Sequence, residues 1–276
     1  MGGNNWRTSL IVLIKRRKMS CNLLKYGSMN NHSFNIKVSL FFINLLLLSL
    51  MILSFPLKTL AQDVEVSIID VEPYGLSVGD RISGIHADYL KKVLEIAKIT
   101  YSINIKPYPR VIKDLQDNKA QLSLFFKRSD LINTVEIDKS IGFFNFIVSH
   151  VDSPITNISK LVGKHIGVIR DAKYEDSFDK DKSIQKMQLD NYLQGLNLLK
   201  LKRVDGLVIS EAAYFFYLQT HTQEKRIFSK PIILNRKHNY IYSNKSIGIE
   251  NIKKIQKANQ FLIKSDFLES ILIKYK

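Results

Sequence analysis

Between residues 64 and 126 the chain changes period four times, from alternation to a helical repeat and back. Val64, Val66 and Ile68 alternate with Glu65 and Ser67, as a strand does. Ile85, Tyr89, Leu90, Val93, Leu94 and Ala97 then share one helical face, with Ser83 placed as N-cap. Tyr101, Ile103 and Ile105 alternate again, and Pro109 suits the first turn of a helix burying Val111, Ile112 and Leu115. Residues 121–126 read as a third strand. Strands separated by helices pair in parallel through crossovers, so this stretch predicts an open α/β sheet.

The rhythm restarts after Ser153-Pro154. A short helix near 158–162 precedes a strand at 165–169, a helix near Tyr174 and a strand near Met187. Asp190 is placed to cap a helix carrying Leu193, Leu196 and Leu199. A strand at 204–209 and a helix at 211–220 follow, and the chain closes on helical stretches at 250–263 and 267–275. Two copies of one rhythm, divided near 148–154, predict two lobes.

The first 61 residues stand outside this pattern. Residues 39–55 hold no charge and one amide, and Lys58-Thr-Leu-Ala61 follows. This order of charged, apolar and small residues is that of a secretory signal peptide cleaved after Ala61, with Met29 or Met19 as alternative starts. An uncleaved anchor is the other reading, since 17 apolar residues lie at the lower edge of what spans a bilayer. Cleavage fits the small-residue site better and places the rest of the chain in the periplasm.

Export changes the composition that matters. The whole chain is +16, but the leader holds eight Lys or Arg and no acid, so residues 62–276 carry 33 basic against 25 acidic groups, net +8. These charges are interspersed, without the basic stripe and interleaved aromatics of a nucleic-acid binder, so no nucleic-acid partner is expected. The single cysteine, Cys21, falls in the leader, so the exported part needs no disulfide, and 215 residues suffice for a core.

Enzyme and cofactor signals are absent. Gly75-Leu-Ser-Val-Gly79 matches a nucleophile elbow, but Asp80 to Gly84 intervene before any helix, so it reads as a loop. The histidines at 86, 150, 165, 221 and 238 lack metal-ligand spacing, and no phosphate loop or dinucleotide fingerprint occurs. No cofactor and no metal are expected.

Several segments, in order, resemble the family 3 extracellular solute-binding proteins. Ser83-Gly-Ile-His-Ala-Asp-Tyr-Leu90 resembles that family's Gly-Phe-Asp-Val-Asp-Leu entry to its first helix, and Pro107-Tyr-Pro-Arg110 its Pro-Trp-x-Arg segment. Asp117-Asn-Lys-Ala-Gln-Leu122 is similar to Ser-Gly-Lys-x-Asp-Leu. Val135-Glu-Ile-Asp138 with Gly142-Phe-Phe144 is similar to Val-Asp-Phe-Ser followed by Pro-Tyr-Tyr. Ile158 to Val168 resembles Leu-x-Asp-Leu-x-Gly-Lys-x-Val-Gly-Val, and Lys202-Arg-Val-Asp-Gly-Leu207 resembles Gly-Arg-Val-Asp-Ala.

The resemblance implies a type II periplasmic-binding-protein architecture, each lobe an open, mostly parallel sheet flanked by helices. Lobe 1 would be 62–147 with 245–276, and lobe 2 148–244, joined by hinge strands near 143–149 and 238–244. It implies a monomer that captures a small-molecule solute by hinge closure for an inner-membrane permease or a sensor receptor. The family's amino-acid clamp is missing: its Arg position falls near Asp130-Leu131, and its Asp position is Ser210. An ordinary amino acid is therefore a poor expected ligand.

Ligand contacts are expected where strands end toward the cleft. Lys127 and Arg128 follow the third strand and suit an anion, or form a solvated loop pair. Arg110 either binds ligand or braces the first lobe. Tyr74 either stacks on ligand or packs at a turn. In the second lobe, Arg170 and Tyr174 flank a strand-to-helix junction, while Ser210 and Glu211 open another helix. Glu211 either accepts a cation or complements the helix dipole. The four basic positions predict a small polar, anionic solute. Two alternatives remain: an enzyme of cyclic-acid dehydratase type with His86 or Glu211 as proton donor, and a signalling or accessory module that has lost ligand binding.

Overall fold

The computed structural model describes residues 41, 43–47 and 63–275. Residues 1–59 and 60–276 form two compact units. In the first, the described residues 41 and 43–47 are helical and exposed. The expected cleavage site, Cys21 and both candidate start codons lie outside the described residues. No helix among the described residues is long and apolar enough to cross a membrane.

The second unit is built on Val64–Ile69 (β1), which pairs in parallel with Tyr101–Lys106 (β4) on one edge and Leu122–Phe126 (β5) on the other. Being central, β1 is covered on both faces: Val66 and Ile68 are buried, and so is Ser67. The alternation seen in the sequence does not mean one wet face. Ser67 is satisfied instead, its Oγ donating to Asn104 Oδ1 at 2.8 Å and its carbonyl accepting from Ser123 Oγ at 2.7 Å. Leu76–Val78 (β2) and Arg81–Ser83 (β3) form a hairpin, so the elbow-like motif lies in a β-ribbon rather than the expected loop.

Ile85–Ala97 (α1) buries the expected apolar face together with His86 and Ala87. Its N-cap is Gly84, not Ser83, and no side chain caps it. Tyr108–Gln116 (α2) follows β4, with Pro109 in its first turn.

Two long strands, Thr134–Ser149 (β6) and Ile232–Asn244 (β10), run antiparallel to each other through the middle of the molecule. β10 also pairs with β5, and β6 with Gly206–Ser210 (β9). Beyond β9 lie His165–Ile169 (β7) and Gln185–Leu189 (β8), parallel to one another. One eight-stranded sheet results, in the order β4-β1-β5-β10-β6-β9-β7-β8. The hinge strands are longer than expected, and their length is what joins the sheets of the two lobes.

The second lobe adds a four-residue helix, Asp176–Asp179 (α3), then Tyr192–Lys200 (α4) and Glu211–Thr220 (α5). Asn191, not Asp190, caps α4, its side chain accepting from Gln194 N at 2.8 Å. Ile249–Ile263 (α6) and Phe267–Lys274 (α7) return to pack on α1. Buried Asn259 of α6 ties this return to the hinge: Oδ1 accepts from Tyr89 Oη at 2.8 Å, and Nδ2 donates to Lys139 O at 2.9 Å. Asn259→Ala strands both partners, so urea denaturation should show a loss of about 3 kcal/mol. A loss under about 0.5 kcal/mol would mean that water replaces the amide.

Candidate functional site

The carboxyl ends of β1, β5 and β7 converge between the lobes. They enclose a chamber of about 20 Å³, enough for one water molecule. Tyr74, His86 and Tyr108 line it from the first lobe, Tyr174 and Tyr192 from the second, and Asn239 from β10. The Tyr74 and His86 rings lie tilted at 35° with centres 4.5 Å apart, and Tyr74 meets Phe143 edge-on at 5.5 Å. No charged side chain lines the chamber.

Two of its walls carry unused polarity. Tyr74 is 2% exposed and its Oη has no hydrogen-bond partner. His86 is 1% exposed, and neither ring nitrogen makes an aligned hydrogen bond, although the Leu124 backbone lies near enough to favour the charged ring weakly. Burial pushes the His86 imidazole down to about 3, so it is neutral at ordinary pH. Burial also raises the Tyr74 hydroxyl well above its usual range and takes Tyr192 to about 12. Ser210 favours ionisation of both tyrosines, but its Oγ caps α5 by accepting from Ala213 N at 3.3 Å. Buried polar groups without partners cost free energy, and a bound solute or water removes that cost.

A second cavity, about 190 Å³, adjoins the chamber at Tyr192. Asp70 and Glu72, just past β1, form one wall, and Leu193, Leu196, Phe216 and Tyr217 of α4 and α5 form much of the other. Neither acid makes an ion pair within the described residues.

Arg128 lies beside the chamber, its guanidinium 6.0 Å from the centre of the Tyr108 ring. Its side chain, only 5% exposed, pairs with Asp130 through Nε at 2.7 Å and Nη2 at 2.8 Å. Nη1 crosses to the second lobe and donates to Asp171 O at 3.2 Å. Lys237 Nζ, on β10, donates to Lys173 O at 2.5 Å. These bonds tie the segment after β5 and a hinge strand to the segment after β7.

Of the residues singled out from sequence, the structure brings Tyr74 and Tyr174 into the chamber. Tyr174 Oη accepts from Ile169 N at 3.2 Å. Ser210 and Arg128 do not line the chamber, but Ser210 neighbours Tyr192 and Arg128 lies over the Tyr108 ring. The others lie elsewhere. Arg110 Nε is 2.9 Å from Asp114 Oδ1, an ion pair without hydrogen-bond alignment, and Asp114 also accepts from Lys106 Nζ at 2.7 Å. Asp114 is 1% exposed; burial alone would raise its pKa, but Lys106 and Arg110 outweigh it and hold the carboxyl low. Arg110 therefore acts as a brace. Lys127 pairs with Glu136 at 3.1 Å and sits over the Tyr240 ring, outside the chamber. Arg170 pairs with Asp190 at 3.1 Å on the surface. Glu211 occupies the first turn of α5 and lines neither cavity.

Sequence reasoning missed Tyr108, Tyr192 and the structural weight of His86. Tyr108 was in view between Pro107 and Pro109. Tyr192 opens the helix after β8, a junction the strand-end rule covers. His86 entered only as a proton donor of the enzyme alternative, and its place one residue from the helix's apolar face was the one signal of its burial.

No protein-family model and no curated protein matches the sequence. Solved structures do. The arginine-, lysine-, histidine-binding protein ArtJ from Geobacillus stearothermophilus is similar at a TM-score of 0.66 and 17% identity, over 78% of this chain and 95% of that one. The GluR0 ligand-binding core from Nostoc punctiforme, solved with L-glutamate, gives 0.63 and 18% over 76% and 97%. The periplasmic VFT2 domain of BvgS from Bordetella pertussis gives 0.62 and 16% over 76% and 93%. At these identities the likeness establishes the fold, a two-lobed α/β architecture of the type II periplasmic-binding-protein class.

Proposed function

We propose that this chain is an exported, divergent member of the family 3 solute-binding proteins. It captures a small polar solute between lobes 62–147 with 245–276 and 148–244, and presents it to an inner-membrane permease or a sensor receptor. The observation that carries this reading is the chamber itself: walls from both lobes, at strand carboxyl ends, holding unpartnered Tyr74 and His86. The ligands of the structural neighbours, arginine, lysine and histidine for one and L-glutamate for another, support small-solute capture.

The charge expected of the solute changes. Arg110, Lys127, Arg128 and Arg170 each already face a carboxylate. Asp70 and Glu72 stand unpaired at the adjoining cavity. This favours a neutral or positively charged solute over the anionic one. Proton transfer is disfavoured because His86 is neutral and Glu211 does not line the chamber, which supports binding rather than catalysis.

Thermal-shift panels of neutral, cationic and anionic solutes test this reading. A binder at a hundred times its Kd gains about 2.7 kcal/mol. Stabilisation confined to anions would overturn the charge assignment. Tyr74→Phe removes an unpartnered hydroxyl, so ligand-free stability should hold or rise by up to about 1 kcal/mol. Affinity for the stabilising solute should fall about tenfold, the loss of about 1.4 kcal/mol.

One observation favours a second reading. A chamber of about 20 Å³ admits no solute without opening, so a signalling or accessory module that closes on its own rings fits it. That reading expects no solute to shift the melting temperature and scattering to report a compact form throughout.

A further inference from the structure

On the other side of Arg128 lies a groove of about 640 Å³, open to solvent and walled by β5's end, both hinge strands and α3. Its charges are unbalanced. Seven Lys or Arg face four carboxylates, and most of the carboxylates are already engaged. Asp130 holds Arg128, Asp176 holds Lys180 at 2.6 Å, and Asp179 Oδ2 accepts from Tyr174 N at 2.9 Å. Glu175 accepts from Asn235 at 3.4 Å, and Lys173 lies 3.9 Å from Asp130. Lys139 on β6 and Arg236 on β10 have no carboxylate partner, and Lys237 has only a backbone carbonyl. Arg236 rests over the Phe144 ring at 5.4 Å, and the His238 ring lies against Gly142.

We propose that this groove binds a compact oxyanion of two or more negative charges, a phosphate or a polycarboxylate, through Lys139 and Arg236. The hinge strands bring Lys139 and Arg236 to one groove, and no carboxylate among the described residues forms an ion pair with either. Their charge is felt by a neighbour: burial and then Lys139 and Arg236 lower the His238 imidazole. An anion would relieve this repulsion, with Arg236 offering a planar fork to the oxygens. The groove touches the hinge strands and both lobes, so an occupant would also favour the closed arrangement. The site is separate from the aromatic chamber and does not depend on the solute reading.

Calorimetry on the full exported chain with inorganic phosphate, citrate and chloride provides the test. Phosphate or citrate should bind at least about tenfold more tightly than chloride, with affinity falling as salt rises. Preference between the two distinguishes a phosphate from a polycarboxylate site. Arg236→Gln and Lys139→Gln, both on exposed side chains, should each weaken binding several-fold without changing the melting temperature. Tyr74→Phe should leave anion binding unchanged. Equal affinity for chloride, or full retention of binding in the double Gln variant, would overturn the proposal.

Discussion

Acidification from pH 6.5 to 4.5 should cost this protein about 2 kcal/mol through His86 alone. The unfolded imidazole takes up a proton near its usual 6.5, while the folded one resists protonation down to about 3 because burial excludes the charged form. The stability contribution is therefore fully present above pH 6.5 and is lost as pH falls toward 3. Over the whole window it amounts to about 5 kcal/mol, a large part of the margin of a typical domain. Carboxylates held low, such as Asp114 and Asp130, add to acid sensitivity only below about pH 5. Denaturation midpoints at several pH values measure the slope, and His86→Phe should flatten it between 6.5 and 4.5 while keeping a ring against Tyr74. An unchanged slope in the variant would show that His86 has a partner or water that accommodates its charge.

Gly84→Ala should be the most damaging small substitution near the chamber, at about 4 kcal/mol. Gly84 adopts φ 116° and ψ 165°, a region nearly closed to residues with a side chain. An added Cβ would sit 2.5 Å from Tyr74 O and 2.9 Å from Pro73 O. Those carbonyls accept the first amides of α1, Ile85 N at 2.8 Å and His86 N at 3.0 Å. Gly84 N itself donates to Tyr275 Oη at 2.7 Å. The clash therefore pushes on backbone that positions both Tyr74 and His86. Urea denaturation should show the loss, and any folded variant should also lose solute-dependent stabilisation. A loss below about 1 kcal/mol would mean that the 73–74 turn yields easily.

The fold was legible because its signals are local. Apolar residues at periods of two and 3.6 placed β1, α1, β4, α2 and β5 within a residue or two, and helix 211–220 was read at its observed bounds. Caps were less legible. Ser83 and Asp190 have suitable side chains, but the chain turns one residue later in each case, at Gly84 and Asn191. The site was half legible. The strand-end rule led to Tyr74, Arg128 and Tyr174. It also led to Lys127 and Arg170, whose charges are taken up by Glu136 and Asp190 outside the chamber.

The order of strand and helix periods along the chain was enough to specify an open α/β sheet in two halves, since each element's apolar face must be covered by its neighbours. Which side chains meet in the cleft depended on contacts between residues far apart in sequence. Arg128 reaches the Asp171 carbonyl, Tyr74 and Tyr192 line one chamber, and Lys139 and Arg236 share one groove. Periodicity carries no information about such meetings, because a charge or ring acquires its role only from what packing brings against it.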